Sequence, residues 1–165
     1  AQHGGDRALA NPYGEFCCTC LDPMFKMAPV PDARADANIN ATENAVGSIA
    51  KSCHAFGAQI SSLDAILAQC VSLLPVVQDD EVAPYTYMFL IELVKNRHPA
   101  ATQQVPKVVD LVVQALLHGL IMGNTAERVV TAIKELLGLL PEGEAMGMLS
   151  KYPADVQVVI QKWFA

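Results

Sequence analysis

Three segments of this chain share one design: Asn38–Phe56, Gln78–His98 and Asn124–Leu140. Each reads as an amphipathic helix with a polar stripe on one side, and a second, more apolar helix precedes it. These second helices start near 38, 79 and 124, so one unit recurs about every 40–47 residues. A helix pair of this size cannot bury its apolar face alone. It must stack on neighbouring pairs, and the stack leaves an extended surface for partners.

That period is the one expected of HEAT or armadillo units. The sequence therefore predicts an all-α fold, a HEAT-repeat α-solenoid of stacked antiparallel helix pairs with short terminal capping helices. Residues 1–165 read as a single segment, with approximate repeats at 11–56, 61–98 and 104–140 and capping helices over 142–165. A chain that is 52% hydrophobic has enough material for a core. No apolar run approaches the ~20 residues that span a bilayer, so membrane insertion is not expected. The start, AQHGGDRALANPYGEF, lacks a signal peptide's basic and apolar stretches and lacks an initiating Met, so the chain reads as an expression fragment or a processed product. The last helices are expected to be the end of the solenoid. Five cysteines, an odd count without framework spacing, favour a reducing intracellular setting. The net charge of -6 favours basic partners over direct binding of nucleic acid.

Punctuation residues mark the helices. Asn11-Pro12 caps a first helix carrying Phe16, Cys17, Cys20, Leu21 and Met24 at helical spacing, with Pro23 kinking or ending it. Ala28–Ala37 reads as a loop. The next helix turns Ile39, Val46, Ile49 and Cys53 inward and presents Asn40, Glu43, Asn44, Gly47 and Lys51 as an exposed stripe. Ser61 or Ser62 caps the helix with Leu63, Ile66, Leu67, Cys70 and Leu74, which Pro75 ends. Asp79, Asp80 and Glu81 then fall in the first turn of the following helix, where the macrodipole favours negative charge. Val82, Tyr85, Phe89 and Leu93 form its core side, Pro84 loosens its start, and His98-Pro99 closes it. Pro106 opens a helix bearing Val109, Val112, Val113, Leu116 and Leu117. Asn124 or Thr125 caps one bearing Val129, Val130, Ile133, Leu136 and Leu137. Short helices over Glu144–Ser150 and Ala154–Phe164 close the chain.

Several of these stretches together resemble a known family. They are GGD at Gly4–Asp6, CTCLDPMFKM, NATENAVGSIAK at Asn40–Lys51, LPVVQDDEVAPYTYMFLIELV at Leu74–Val94, and the closing YPADVQVVIQKW. The chain resembles the C-terminal HEAT repeats of the karyopherin-β (importin-β) nuclear import receptors over nearly its whole length. It is most similar to the importin-four/importin-five branch, whose members carry histones and ribosomal proteins. The loop Ala28–Ala37, Pro84 and Cys17-Cys18 depart from the family pattern. The resemblance implies a receptor shuttling between cytoplasm and nucleus, with cargo lying on the second helices of the repeats. Ran-GTP and nucleoporins would be bound through the full-length receptor, mainly outside this segment.

Carried onto these residues, the resemblance puts Asn44 and the acids Asp80 and Glu81 on neighbouring inner helices. A cargo lysine could donate its ammonium to the two carboxylates and the amide oxygen. Asp79, Glu43 and Glu92 would add field, and Asn40 lies on the same stripe. The expected cargo is a lysine-rich nuclear localisation signal on a histone tail or ribosomal protein. One alternative is an architectural end of the solenoid without cargo contact, in which the acids only satisfy a helix start. Another is a helical domain holding a small apolar ligand near Val108–Met122.

No catalytic residues, metal site or cofactor are expected. Cys17, Cys18 and Cys20 with His3 or His54 lack the paired spacing of a zinc site, and Cys17, Cys20 and Leu21 fit one apolar helix face. His54 and His98 read as helix C-terminal residues suited to the dipole. No phosphate loop, HExxH or nucleophile elbow occurs, so an enzyme is not expected.

Overall fold

Helix-breaking residues and apolar stripes divide the chain as the spacing requires. The structure, a computed structural model, describes residues 32–56 and 63–164. The expected first helix with Cys17, Cys18 and Cys20, His3, and the Ser61 or Ser62 cap lie outside the described residues. Among the described residues the chain is all-helical. The elements are α1 (Ile39–Phe56), α2 (Leu63–Leu73), α3 (Ala83–Lys95), α4 (Pro99–Thr102), α5 (Val105–Leu117), α6 (Gly123–Leu137), α7 (Glu144–Leu149) and α8 (Ala154–Phe164).

The helices form two rows. In one, α1 packs on α3 and α3 on α6. In the other, α2 packs on α4 and α4 on α5. The rows are joined within pairs by α1 against α2, α3 against α4 and α5 against α6, and α8 closes the end against both α5 and α6. The three repeated amphipathic helices thus lie side by side, as stacked pairs demand. Their predicted core positions are buried: Ile39, Val46, Ile49 and Cys53 in α1, and Val129, Val130, Ile133, Leu136 and Leu137 in α6. Val108, Val109, Val112 and Val113 are fully buried between the rows. The valines of the Val108–Met122 stretch are therefore core.

The ends of α3 differ from the sequence reading. Asp79, Asp80 and Glu81 lie in the turn just ahead of the helix, not in its first turn. Asp79 closes that turn: its Oδ1 accepts from the Val82 N–H at 2.9 Å, and its carbonyl accepts from Ala83 N–H. Pro84 does not loosen the start, because it occupies one of the first two helical positions, where a missing N–H leaves no bond unmade. The helix ends at Lys95, short of His98. Arg97 adopts φ 51°, the His98 N–H reaches the Leu93 carbonyl at 2.8 Å, and the Arg97 N–H reaches Val94. This is a Schellman ending with arginine where glycine is favoured. The end of α5 repeats it with Gly119 at φ 69° and Leu120 N–H on the Ala115 carbonyl.

His98 is consequently not a C-terminal residue of α3 but the N-cap of α4. Its Nδ1 accepts from Ala100 N–H at 3.2 Å while Nε2 meets Asp64 Oδ1 at 3.0 Å. The start of α6 also departs from expectation. Met122 is its N-cap, and no side chain caps it, neither Asn124 nor Thr125.

Candidate functional site

The site is built on the seam between α1 and α3. Four contacts climb it in order, Glu43 to residues 77–79, Gly47 to Val82, Lys51 to Tyr85, and His54 to Glu92. Both residue numbers rise together, so the two helices run parallel and their registers are fixed against each other. The close approach needs Gly47. A Cβ there would overlap Cγ1 of Val82, a buried and β-branched side chain.

At the lower end of the seam, Glu43 is not on an exposed stripe. It is fully buried, and its stripe neighbour Gly47 is buried too. Glu43 Oε1 accepts from Val77 N–H at 2.7 Å, and Oε2 accepts from the N–H groups of Gln78 and Asp79 at 2.9 and 2.8 Å. Arg34 approaches Oε1 at 3.6 Å. A buried carboxylate is tolerable only when such donors replace its water. Three successive amides that would otherwise lack acceptors are gathered on one anion. The Tyr87 hydroxyl is buried nearby and makes no hydrogen bond among the described residues. Burial pushes it well above the usual phenol range, the Glu43 charge adds to this, and Arg34 partly offsets it. Glu43 therefore shapes the acidic turn and is withdrawn from any direct contact with a ligand.

Around this clamp lie the residues that can meet a partner. Asn40 and Asn44 are exposed on α1, and Asn44 Nδ2 donates to the Asn40 carbonyl at 3.0 Å. What Asn44 chiefly offers outward is thus its amide oxygen. Asp80 and Glu81 are exposed on the clamped turn. The parallel register sets Asn44 level with this turn, since its neighbour Glu43 binds residues 77–79. Asp79 is half-buried, with one carboxylate oxygen engaged in the turn. Glu92 lies farther along the seam, held by His54 Nδ1 at 2.8 Å.

Tyr85 belongs with these and not with the core. The residue is 48% exposed, and the Lys51 ammonium sits 4.3 Å from the ring centroid. Tyr85, Met88 and Glu92 share one stripe of α3 at spacings of three and four residues, Tyr85 exposed and the other two half-buried, and Glu81 precedes them in the turn ahead of the helix. That spacing was legible in the sequence as a helix face, although aromaticity assigned Tyr85 to the interior. Cys53 and Cys70 are buried structural thiols, and burial, helped by Cys53, pushes Cys70 up to about 12. No group of three or more metal-ligating side chains occurs among the described residues. No helix among them is long and apolar enough to cross a membrane.

Residues 79–130, from the acidic turn through α3, α5 and the first half of α6, match the model of the importin repeat family. Over 155 residues, 93% of the chain, the sequence is 34% identical to importin subunit beta-3 of Saccharomyces cerevisiae. The chain belongs to the karyopherin-β family. It spans 14% of the length of that yeast relative. Family members are transport receptors, not enzymes. In this karyopherin-β segment the family match begins at Asp79, the residue whose amide closes the Glu43 clamp and whose carboxylate opens α3.

Proposed function

We propose that this segment binds cargo within a nuclear import receptor, taking lysine-rich localisation signals of the histone or ribosomal-protein type along the α1–α3 seam. The observation that carries this reading is the clamped turn. Glu43 spends a buried charge on holding residues 77–79, and the exposed acids Asp80 and Glu81 follow directly, level with Asn44. A lysine ammonium needs that set of acceptors, two carboxylates and an amide oxygen, on a support that does not move. Asp79, Glu92 and Asn40 contribute to the negative potential or to the same stripe. The excess of acidic over basic residues, 17 against 11, supports a basic partner. The full-length receptor would shuttle between cytoplasm and nucleus and engage Ran-GTP and nucleoporins mainly through other repeats.

The test is a titration of the 165-residue chain with a lysine-rich histone-tail peptide at two salt concentrations, wild type beside Asp80→Ala/Glu81→Ala. The reading expects saturable binding that weakens with salt and is lost in the double variant. Binding that ignores both acids refutes the pocket.

A second reading has its own observation. Glu43 and Asp79 both serve the fold through backbone hydrogen bonds. An architectural end of the solenoid would need nothing more of these acids. It expects no peptide binding even at low salt.

A further inference from the structure

We infer that the face of Tyr85 is a seat for a cation which Lys51 fills from within the chain, and that a lysine of a basic peptide docks by displacing it. This rests on the cargo reading above and adds a residue and a competitor to it. Tyr85 is exposed enough for a ligand to reach, and its ring already holds an ammonium, that of Lys51, 4.3 Å from the centroid. An aromatic face attracts a cation through its quadrupole whichever chain supplies it.

The surroundings suit an incoming lysine. Glu81 lies four residues before Tyr85, in the turn that leads into α3, where the Ala83 N–H already bonds the Asp79 carbonyl. Glu92 lies two turns beyond, at the other end of the stripe, tied to His54. Carboxylates thus flank the ring along α3, and Asn44 sits two turns below Lys51 on α1. Lys51 in its resting position screens this acidic strip and covers the ring. An arriving ammonium must evict it, so Lys51 acts as an intramolecular competitor. It also releases the seat easily, because a half-exposed cation–π pair is worth only ~0.5–1 kcal/mol.

The experiment is peptide titration of the 165-residue chain at low salt with one lysine-rich peptide and its lysine-acetylated counterpart. Variants are Lys51→Met, Tyr85→Leu, Tyr85→Phe, the Lys51→Met/Tyr85→Leu pair, and Lys95→Met. Lys95 is exposed on the same helix ten residues on, ~15 Å away, so Lys95→Met reports the effect of deleting one positive charge alone. Lys51→Met should tighten binding by about 2–5-fold beyond the Lys95→Met control, the range of one exposed cation–π contact. Tyr85→Leu should leave wild-type binding nearly unchanged, because evicting Lys51 costs what the incoming ammonium gains, and it should cancel the gain from Lys51→Met, while Tyr85→Phe binds as wild type. The acetylated peptide, having lost its charges, should not distinguish the variants.

A Lys51→Met gain no larger than that of Lys95→Met, or one that persists on the Tyr85→Leu background, overturns the displacement. If wild type binds with loss only through Asp80 and Glu81, the cargo reading stands and this seat does not. If no variant binds any peptide, both fall. Circular dichroism and melting of each variant verify that the fold is intact, and Tyr85→Phe supplies a conservative ring should Tyr85→Leu unfold.

Discussion

Replacing Glu43 probes the most concentrated interaction on the seam. Its carboxylate is fully buried and accepts three backbone N–H bonds, from Val77, Gln78 and Asp79. Hydrogen bonds to a charged group contribute ~1.5–3 kcal/mol each, and a buried donor left without an acceptor costs ~1–3 kcal/mol. Simple addition for Glu43→Ala would give ~3–9 kcal/mol. The upper end is too high, because the three amides are only part-buried and water can reach some of them once the side chain is gone. Losing the buried charge also relieves its desolvation. An expected loss of ~3–5 kcal/mol remains, toward the lower end of that sum.

Glu43→Gln sharpens the argument, since it keeps the shape. Its single oxygen can serve Gln78 and Asp79 together, but its amide then faces the Val77 N–H, donor against donor. The expected loss is ~1–3 kcal/mol, one such buried donor. Equilibrium urea unfolding gives both numbers, and native-state amide exchange at Val77, Gln78 and Asp79 locates them. Exchange at these three amides should accelerate in both variants while amides in α6 follow global stability alone. Losses below about 0.5 kcal/mol in both variants, with unchanged protection at 77–79, would refute the clamp.

Two further outcomes follow from backbone geometry. Gly47→Ala should destabilise, although alanine ordinarily favours a helix interior by ~1 kcal/mol, because its methyl overlaps Val82; adding Val82→Ala should recover part of the loss in thermal melts. Arg97→Gly should raise stability by up to ~1 kcal/mol, since it removes a side chain from a left-handed position, whereas Gly119→Ala in the matching ending of α5 should lower it by a similar amount.

Where apolar residues recur at helical spacing, the sequence was readable. The predicted core positions of α1, α5 and α6 are buried almost without exception, and the bounds of α8 agree. The misreadings share one cause: a polar or aromatic side chain was assigned by its type when its neighbour decided its place. Glu43 belongs to a stripe that periodicity called exposed, yet the loop of the next repeat arrives there with three bare amides. Gly47 on that stripe is where Val82 enters. Its aromatic ring suggests an interior place for Tyr85, but Thr86, Tyr87, Phe89 and Leu90 already fill the covered side of α3. The acids at 79–81 read as a first helical turn although the helix starts only at Ala83, since the carbonyl and carboxylate of Asp79 make a turn that resembles one. Such loop-to-helix contacts, more than thirty residues apart in sequence, leave no local signature.

The seam between α1 and α3 is unequal along its length, and that inequality has a mechanical meaning. One edge is riveted by a buried anion on three amides and by a glycine groove; the other is fastened by pairs open to water, Lys51 on Tyr85 and His54 on Glu92, which resist little. A joint of this kind would yield first at its water-exposed end and last at the riveted one, like the leaves of a fan. A superhelix assembled from such joints would change its pitch by small fanning steps, with each step exposing or closing the rim where Tyr85 lies.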